Sequence, residues 1–347
     1  MRNIFIFPFG NEITPALFHD FFTKYNSVYI LEEHKEAPKI DGVQFITTDL
    51  WSEIITQCDE ALIVSDEKVP LSLYKRVIEQ LLKANVIVFL SRTIADQLNI
   101  EAQDNIKIIG KNLLSSKVSV KQLVPINVPV IGILGDGKLT DKFQIQIALD
   151  KSFKRLGYNV LSITAKEYAD FLGMSLIPNF IFEPMYLSDK IVALNQYFYN
   201  IIFHLKPDLV LLNIPGGALP ISEQYVKEFG EFAYTLCNAL SPDILIRTLY
   251  FNNYDSPFFE NDIRQIKYRY NVAPEYYCIS STSLVYPPSL MDELGYLKVE
   301  PMVKQQVIKN IRSLDLPCDI FEYDNTSDVD HICDKMIQSL AGDFSIV

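Results

Sequence analysis

Histidine is scarce in this chain, four among 347 residues, which leaves little room for chemistry built on imidazole. Two of the four, His19 and His204, lie on apolar helical stretches and read as core or edge residues. There is no G-x-S-x-G elbow, no H-E-x-x-H pair and no cysteine at a nucleophile turn, so the familiar hydrolase and zinc-peptidase arrangements are excluded. No G-x-G-x-x-G follows the first apolar segment, and a dinucleotide cofactor thereby loses its main support. The five cysteines, Cys58, Cys237, Cys278, Cys318 and Cys333, are odd in number and never spaced C-x-x-C; they read as reduced, mostly buried thiols. Nothing approaches the roughly eighteen consecutive apolar residues that a membrane-crossing helix needs. The opening MRNIFIFPFGNE reads as a strand running into a turn, not as a signal peptide. Positive charge is short as well. The formal net charge is −12, which argues against a phosphate-tracking nucleic-acid surface. The expectation is a cytoplasmic protein that meets neither membrane nor nucleic acid.

What is present is apolar material, 49% of the chain, enough for two cores of ordinary size. The clearest unit is residues 128–164. An apolar run to Leu134 fits a buried parallel strand, GDGK makes a turn, and Phe143, Ile147, Leu149 and Phe153 recur near helical spacing until Gly157. Alternating strands and helices also fill residues 3–90, with helices expected at 14–22, 50–56 and 71–83. A helix start is expected at Ser91, and a more polar join follows, carrying Lys107, Lys111, Lys117 and Lys121. Beyond residue 164 the pattern gives a Pro-interrupted loop, a long helix at 188–205, a strand at 208–213 closed by IPGGALP, and a helix near Ser222. Further strands and helices follow to residue 340, broken by an irregular Pro-rich stretch before Tyr296. The fold class expected is α/β: two Rossmann-like three-layer domains with mainly parallel sheets, at 1–122 and 123–347, the second P-loop-like but degenerate.

The degeneracy is legible at the turn after residue 134. As text, Gly132 to Lys138 satisfies G-x-x-x-x-G-K, with Thr140 one place late for a magnesium ligand. As structure, Gly132 belongs inside the strand. Counting from Gly135 leaves only Gly135, Asp136, Gly137 and Lys138, too short to wrap a triphosphate, and Asp136 puts a carboxylate where phosphate would come. Asn213 ends the strand on which many P-loop proteins carry an acid. No cofactor is therefore expected, ATP or GTP with magnesium being the alternative. Open α/β sheets place ligands outside the carboxyl ends of their strands. The expected rim is Gly135, Asp136, Gly137, Lys138 and Thr140, then Asn179 and Glu183, then Asn213, Gly216 and Gly217, then Asn253, with rings such as Phe180 and Tyr254 beside them. Glu183, set between Phe182 and Pro184, is a candidate acid. Asp328, Asp330, His331 and Cys333 form a possible metal cluster at a helix start, where acidic residues also have an ordinary reason to be. No metal is assigned and no catalytic residue can be named.

Residues 141–164 (DKFQIQIALDKSFKRLGYNVLSIT), 175–183 (SLIPNFIFE), 207–220 (PDLVLLNIPGGALP) and 4–17 (IFIFPFGNEITPAL) resemble a family of peptide maturation system proteins known mainly from clostridia. The second domain is also similar, distantly, to P-loop proteins of the dethiobiotin-synthetase kind. The first resemblance implies genomic company, a small ribosomal precursor peptide and a radical SAM enzyme that modifies it, as in bacteriocin biosynthesis. It implies no active site. The expectation is an accessory factor that binds the precursor peptide, its modifying enzyme, or both; the alternative is a nucleotide-assisted enzyme, kinase or ligase-like, acting on the peptide or a small substrate. An aromatic-rich, histidine-poor chain favours the first, because a disordered peptide binds by ordering onto backbone and ring surface.

Overall fold

A computed structural model of the chain describes residues 2–10, 13, 17, 20–31, 42–46, 51–110, 122–226, 229–287 and 294–343. It divides into two units, Met1–Leu113 with Lys166–Leu176, and Leu114–Ala165 with Ile177–Val347.

The first unit is organised on β1 (Arg2–Phe7), β2 (Tyr25–Leu31), β3 (Val43–Ile46), β4 (Glu60–Ile63), β5 (Ile87–Ser91) and β6 (Ile106–Ile109), in the order β3-β2-β1-β4-β5-β6. All of these pairings are parallel. That order is the doubly wound one, and it reverses direction between β1 and β4. One face of the sheet, with Phe5, Phe7, Ala61, Ile63, Val88 and Leu90, packs under α1 (Trp51–Ile55), α2 (Leu71–Lys83) and α3 (Arg92–Leu98). Helix α2 buries Tyr74, Val77, Ile78 and Leu81, the i, i+3, i+4, i+7 stripe of an amphipathic helix, and each such side chain contributes about 1.5–3 kcal/mol of burial. Ser91 caps α3 by accepting the Ile94 amide at 3.4 Å, and Asn99 ends it in the left-handed conformation. The segment from Lys166 packs within this unit through Phe171, whose ring lies 4.7 Å from that of Phe89.

The second unit carries β7 (Val130–Gly135), β8 (Val160–Thr164), β10 (Leu209–Gly217), β11 (Ile244–Leu249), β12 (Pro274–Ile279) and β15 (Asp319–Ile320), in the order β15-β12-β11-β7-β10-β8, and the two-residue β9 (Ser175–Leu176) belongs to the Lys166–Leu176 segment of the first. Strands β8, β10, β7, β11, β12 and β15 run parallel. Helices α4 (Lys142–Arg155) and α9 (Thr326–Asp343) cover one face through Ile145, Leu149, Phe153, Cys333 and Met336. The other face is covered by α5 (Leu187–Leu205), α6 (Glu231–Ala239) and α7 (Ser256–Tyr270), through Leu194, Phe198, Leu236 and Ile266. Helix α8 (Pro301–Arg312) packs with α7 and β12 at the sheet's end. Strands β13 (Thr282–Val285) and β14 (Gly295–Lys298) pair antiparallel in a separate two-stranded sheet.

The α/β class with two mainly parallel sheets holds. The helix expected at 14–22 falls largely outside the described residues, as do Lys111, Lys117, Lys121 and His19. Four expectations change. The polar join contains strand β6, whose Ile106 and Ile109 are buried while Lys107 points out. The Pro-rich stretch contains the β13–β14 pair. No helix begins at Ser222; α6 begins at Glu231 behind Gly230, whose φ of +95° only glycine adopts freely. His204 is exposed in the last turn of α5, its Nδ1 2.6 Å from the Asn200 carbonyl. The cysteines are all unpaired and, apart from half-exposed Cys318, buried.

Candidate functional site

Strand β7 and helix α4 are joined by residues 136–141, at the carboxyl edge of the second sheet. Two residues of this turn, Leu139 and Asp141, sit at φ +58°, a conformation that costs an L-residue roughly 1–2 kcal/mol. The turn is held by bonds that recover that cost. The Asp136 amide donates to Thr248 at 3.0 Å, closing the turn against β11. Thr140 Oγ1 donates to the Gly137 carbonyl at 3.0 Å. The ammonium of Lys142, first residue of α4, donates to the carbonyls of Gly137 at 2.6 Å and Gly216 at 3.0 Å, binding the turn to β10. Gly135 is tightly enclosed: a Cβ there would meet Thr140 Oγ1 first and would stand 2.8 Å from Thr248 Oγ1 and 2.9 Å from Lys142 Nζ.

The electrostatics of the turn are internal too. Asp136 accepts from Arg247 Nη2 and from the Tyr250 amide, so its carboxylate is drawn toward β11. Arg247 is 1% exposed, and on its far side it pairs with Asp262, which also accepts from Tyr277. Burial alone would push the guanidinium's pKa down; the two carboxylates outweigh it and hold Arg247 charged. One of its nitrogens, Nη1, is buried without a hydrogen-bond partner. Tyr250 adds a bond to the Lys138 carbonyl at 2.7 Å. At the start of α4 the carboxylate of Asp141 is 4% exposed and accepts from the amide and hydroxyl of Ser281, at 2.8 and 2.9 Å, and from Tyr323. The carboxylate thus stands at the start of α4, turned to Ser281 and Tyr323 without bonding the helix's first amides.

Of the expected rim residues, Gly135, Asp136, Gly137, Lys138 and Thr140 do form the turn, with Lys138 exposed and Thr140 buried. Gly216 and Gly217 approach it from β10, but they continue that strand instead of turning: Gly217 pairs with Gly135 after a register shift, and Gly216 takes φ +73°. Asn213 lies underneath, 6% exposed, donating to Gln146 Oε1 at 3.2 Å, while Gln146 donates to the Ile163 and Leu211 carbonyls. Asn179 and Glu183 are exposed at either end of a short 3-10 turn, Asn179–Phe182. Phe180 from that turn is buried in the core, and it is Phe182 whose ring is half exposed, 5.1 Å from Phe232. Asn253 is exposed, and the Tyr254 ring lies 4.3 Å from that of Phe258, tilted by 35°. The acidic group at 328–333 is spread out: Asp328 pairs with Arg312, Asp330 with Arg155, and Cys333 is buried. Sequence reading missed Lys142, Arg247 and Tyr250. For Lys142 the signal was its place directly before the apolar helix repeat that begins at Phe143.

The architecture is that of two doubly wound α/β units, the second with a strand–turn–helix whose turn is bonded from within. No family model matches the chain, and no curated protein matches it. Among solved structures it is similar to a DUF1611 family protein from Anabaena variabilis, at a TM-score of 0.63 and 11% identity, over 97% of this chain and 100% of that one. It is also similar to chloroplast FtsY from Physcomitrella patens, at a TM-score of 0.28 and 14% identity over 67% of this chain and 71% of that one. A third is the signal recognition particle 54 kDa protein of Aeropyrum pernix in complex with GDP, at 0.29 and 11% over 56% and 52%. The first of these shows the fold. Among the described residues no helix is long and apolar enough to cross a membrane.

Proposed function

We propose that the protein is an accessory factor in the maturation of a ribosomally synthesised peptide, binding the precursor peptide, its radical SAM modifying enzyme, or both, without turning over a nucleotide. The observation that supports this is the internal bonding of the turn at 135–142. Lys142, the cation best placed for a phosphate, is held by the carbonyls of Gly137 and Gly216, and two carboxylates, Asp136 and Asp141, stand in the same turn. A nucleotide triphosphate does not fit that donor set, because acceptors face it where amides and cations are needed. What the rim offers instead is exposed ring surface at Phe182 and Tyr186, beside the exposed Asn179 and Glu183, the material on which an unfolded peptide gains area and backbone bonds.

Two measurements test the reading. Calorimetric titration of ATP and GTP with magnesium is expected to give no micromolar binding; such binding, abolished by Lys142→Ala or Lys138→Ala, overturns the proposal in favour of a nucleotide-assisted enzyme. Co-purification with the precursor and the modifying enzyme is expected to succeed for the parent chain and to weaken for Phe182→Ala/Tyr186→Ala. Failure of the parent to retain either partner also overturns it.

A further inference from the structure

The first unit has its own ligand-sized opening, far in sequence from the turn just described. A cavity of about 380 Å³ opens at the carboxyl ends of β4 and β5, within the range of small-molecule pockets. It lies where a doubly wound sheet puts its ligands. Its described lining comes from the segments that follow β4 and β5, beside the place where the strand order reverses between β1 and β4. The loop after β1 comes close to this wall: a Cβ on Gly10 would stand 2.7 Å from Asp66 Oδ2.

The polar lining sorts into fixed and available groups. Tyr74 is committed, its hydroxyl donating to the Val64 carbonyl at 3.0 Å and accepting from the Asp66 amide at 2.9 Å. Thr93 is committed through Oγ1 to Glu167 at 2.7 Å. Asp66 Oδ1 accepts from the Lys68 amide at 2.9 Å, which fixes the loop. By contrast, among the described residues no hydrogen bond or ion pair engages the Ser65 hydroxyl, the Glu67 carboxylate or the Gln97 carboxamide. A hydroxyl, a carboxylate and a carboxamide thus face one opening on walls that are already fixed, with an apolar floor from Ile94. Among the described residues that line it there is no lysine or arginine, while Asp66 and Glu67 are both present. The first turns of α2 and α3 also border the opening, but the two full carboxylate charges beside it favour a cation over an anion.

We propose that this cavity binds a small polar molecule carrying an ammonium group, with Glu67 pairing the cation and Ser65 and Gln97 binding its hydroxyl or carbonyl groups. Phosphorylated and carboxylated molecules are expected to bind more weakly, because Asp66 and Glu67 stand beside the opening. The site is independent of the peptide-binding reading, and either can fail without the other.

The test uses the full chain and two sets of probes, followed by saturation-transfer NMR and calorimetry. Glucosamine, putrescine and agmatine form the ammonium set; glucose, glucuronate and succinate are the matched neutral and anionic set. At least one ammonium probe is expected to bind and the anions not to. Glu67→Gln should weaken that binding about fivefold, the contribution of a partly exposed charge pair, with an unchanged melting temperature because the parent carboxylate has no protein partner. Ser65→Leu should abolish binding by filling the cavity. The proposal is overturned if no ammonium probe binds, if glucuronate or succinate binds as tightly, or if Glu67→Gln binds like the parent.

Discussion

Arg247 Nη2 reaches the carboxylate of Asp136 across the carboxyl edge of the second sheet, and this contact ties the turn after β7 to the fully buried strand β11. The same guanidinium is paired with Asp262 behind it, so a buried cation serves two acids. Removing one partner of a buried ion pair leaves the others unpaired and costs about 3–5 kcal/mol. Arg247→Ala is expected to lose stability in that range in urea denaturation. Asp136→Asn, at the more exposed end, should lose less and leave the Asp262 pair intact. If Arg247→Ala unfolds within about 0.5 kcal/mol of the parent, a change typical of exposed positions, the cluster does not hold the turn.

Gly135 and Gly216 should respond differently to alanine. At Gly135 the new Cβ meets Thr140 Oγ1 most closely, then Thr248 Oγ1 at 2.8 Å and the Lys142 ammonium at 2.9 Å, and overpacking of this kind costs roughly 1–3 kcal/mol. At Gly216 the cost comes from φ +73°, about 1–2 kcal/mol. Melts of the two variants, and of each combined with Lys142→Met, separate the causes: the shorter, uncharged side chain should relieve part of the first loss and none of the second. Equal responses to Lys142→Met would show the crowding account to be wrong.

Much of the fold was legible because its strands are continuous apolar runs and its helices carry clear stripes. Helix α2 begins and ends where its periodicity does, and β7, β10 and β11 announce themselves by composition. What was not legible depended on tertiary partners. Strand β6 hides its Ile106 and Ile109 among lysine and polar neighbours, and only pairing with β5 makes it a strand. The turn at 135–141 looked like a four-residue GDGK because glycines mark turns. Its left-handed residues are in fact Leu139 and Asp141, which the sequence gives no reason to suspect, and so the helix starts later and Lys142 takes the place assigned to Lys138. Phe180 and Phe182 were indistinguishable as text; the register of one short 3-10 turn buries the first and exposes the second.

Alkaline pH should destabilise the protein before acid chemistry matters to these groups. Burial pushes the thiols of Cys58, Cys237 and Cys333 up from 9.0 to about 12, and the phenols of Tyr74, Tyr270 and Tyr276 up from 10.0 to about 12. Above pH 9 the unfolded chain releases these protons while the folded chain keeps them, so the unfolded state gains stability with each step of pH. Urea midpoints are expected to be level near pH 8 and to fall progressively from pH 9 toward 12. In the native protein at pH 8 a thiol reagent should find half-exposed Cys318 first and the buried thiols only on unfolding. A flat midpoint between pH 8 and 11 would contradict the assigned burial.

Asn213 offers the sharpest distinction between a scaffold and a metal-assisted site. Its amide donates to Gln146 Oε1, and Gln146 spends its own donor on the carbonyls of Ile163 and Leu211, so the pair fixes α4 on the sheet. Asn213→Asp restores the acid of a working phosphate site but removes the donor and sets two acceptors against each other at a position only 6% exposed. The lost bond costs about 1–3 kcal/mol, and an ionised carboxylate costs more. Burial raises the pKa of such an aspartate, so its protonated form, which can donate again, is the one the fold tolerates: the loss should be smallest at low pH and grow as pH rises through the raised folded value. Magnesium with ATP should not recover it. Denaturation of parent and variant at pH 4 and pH 7, with and without magnesium and ATP, reads both effects. A variant as stable as the parent at pH 7, or one stabilised by the metal and nucleotide, would mean that Asn213 stands at a phosphate site after all.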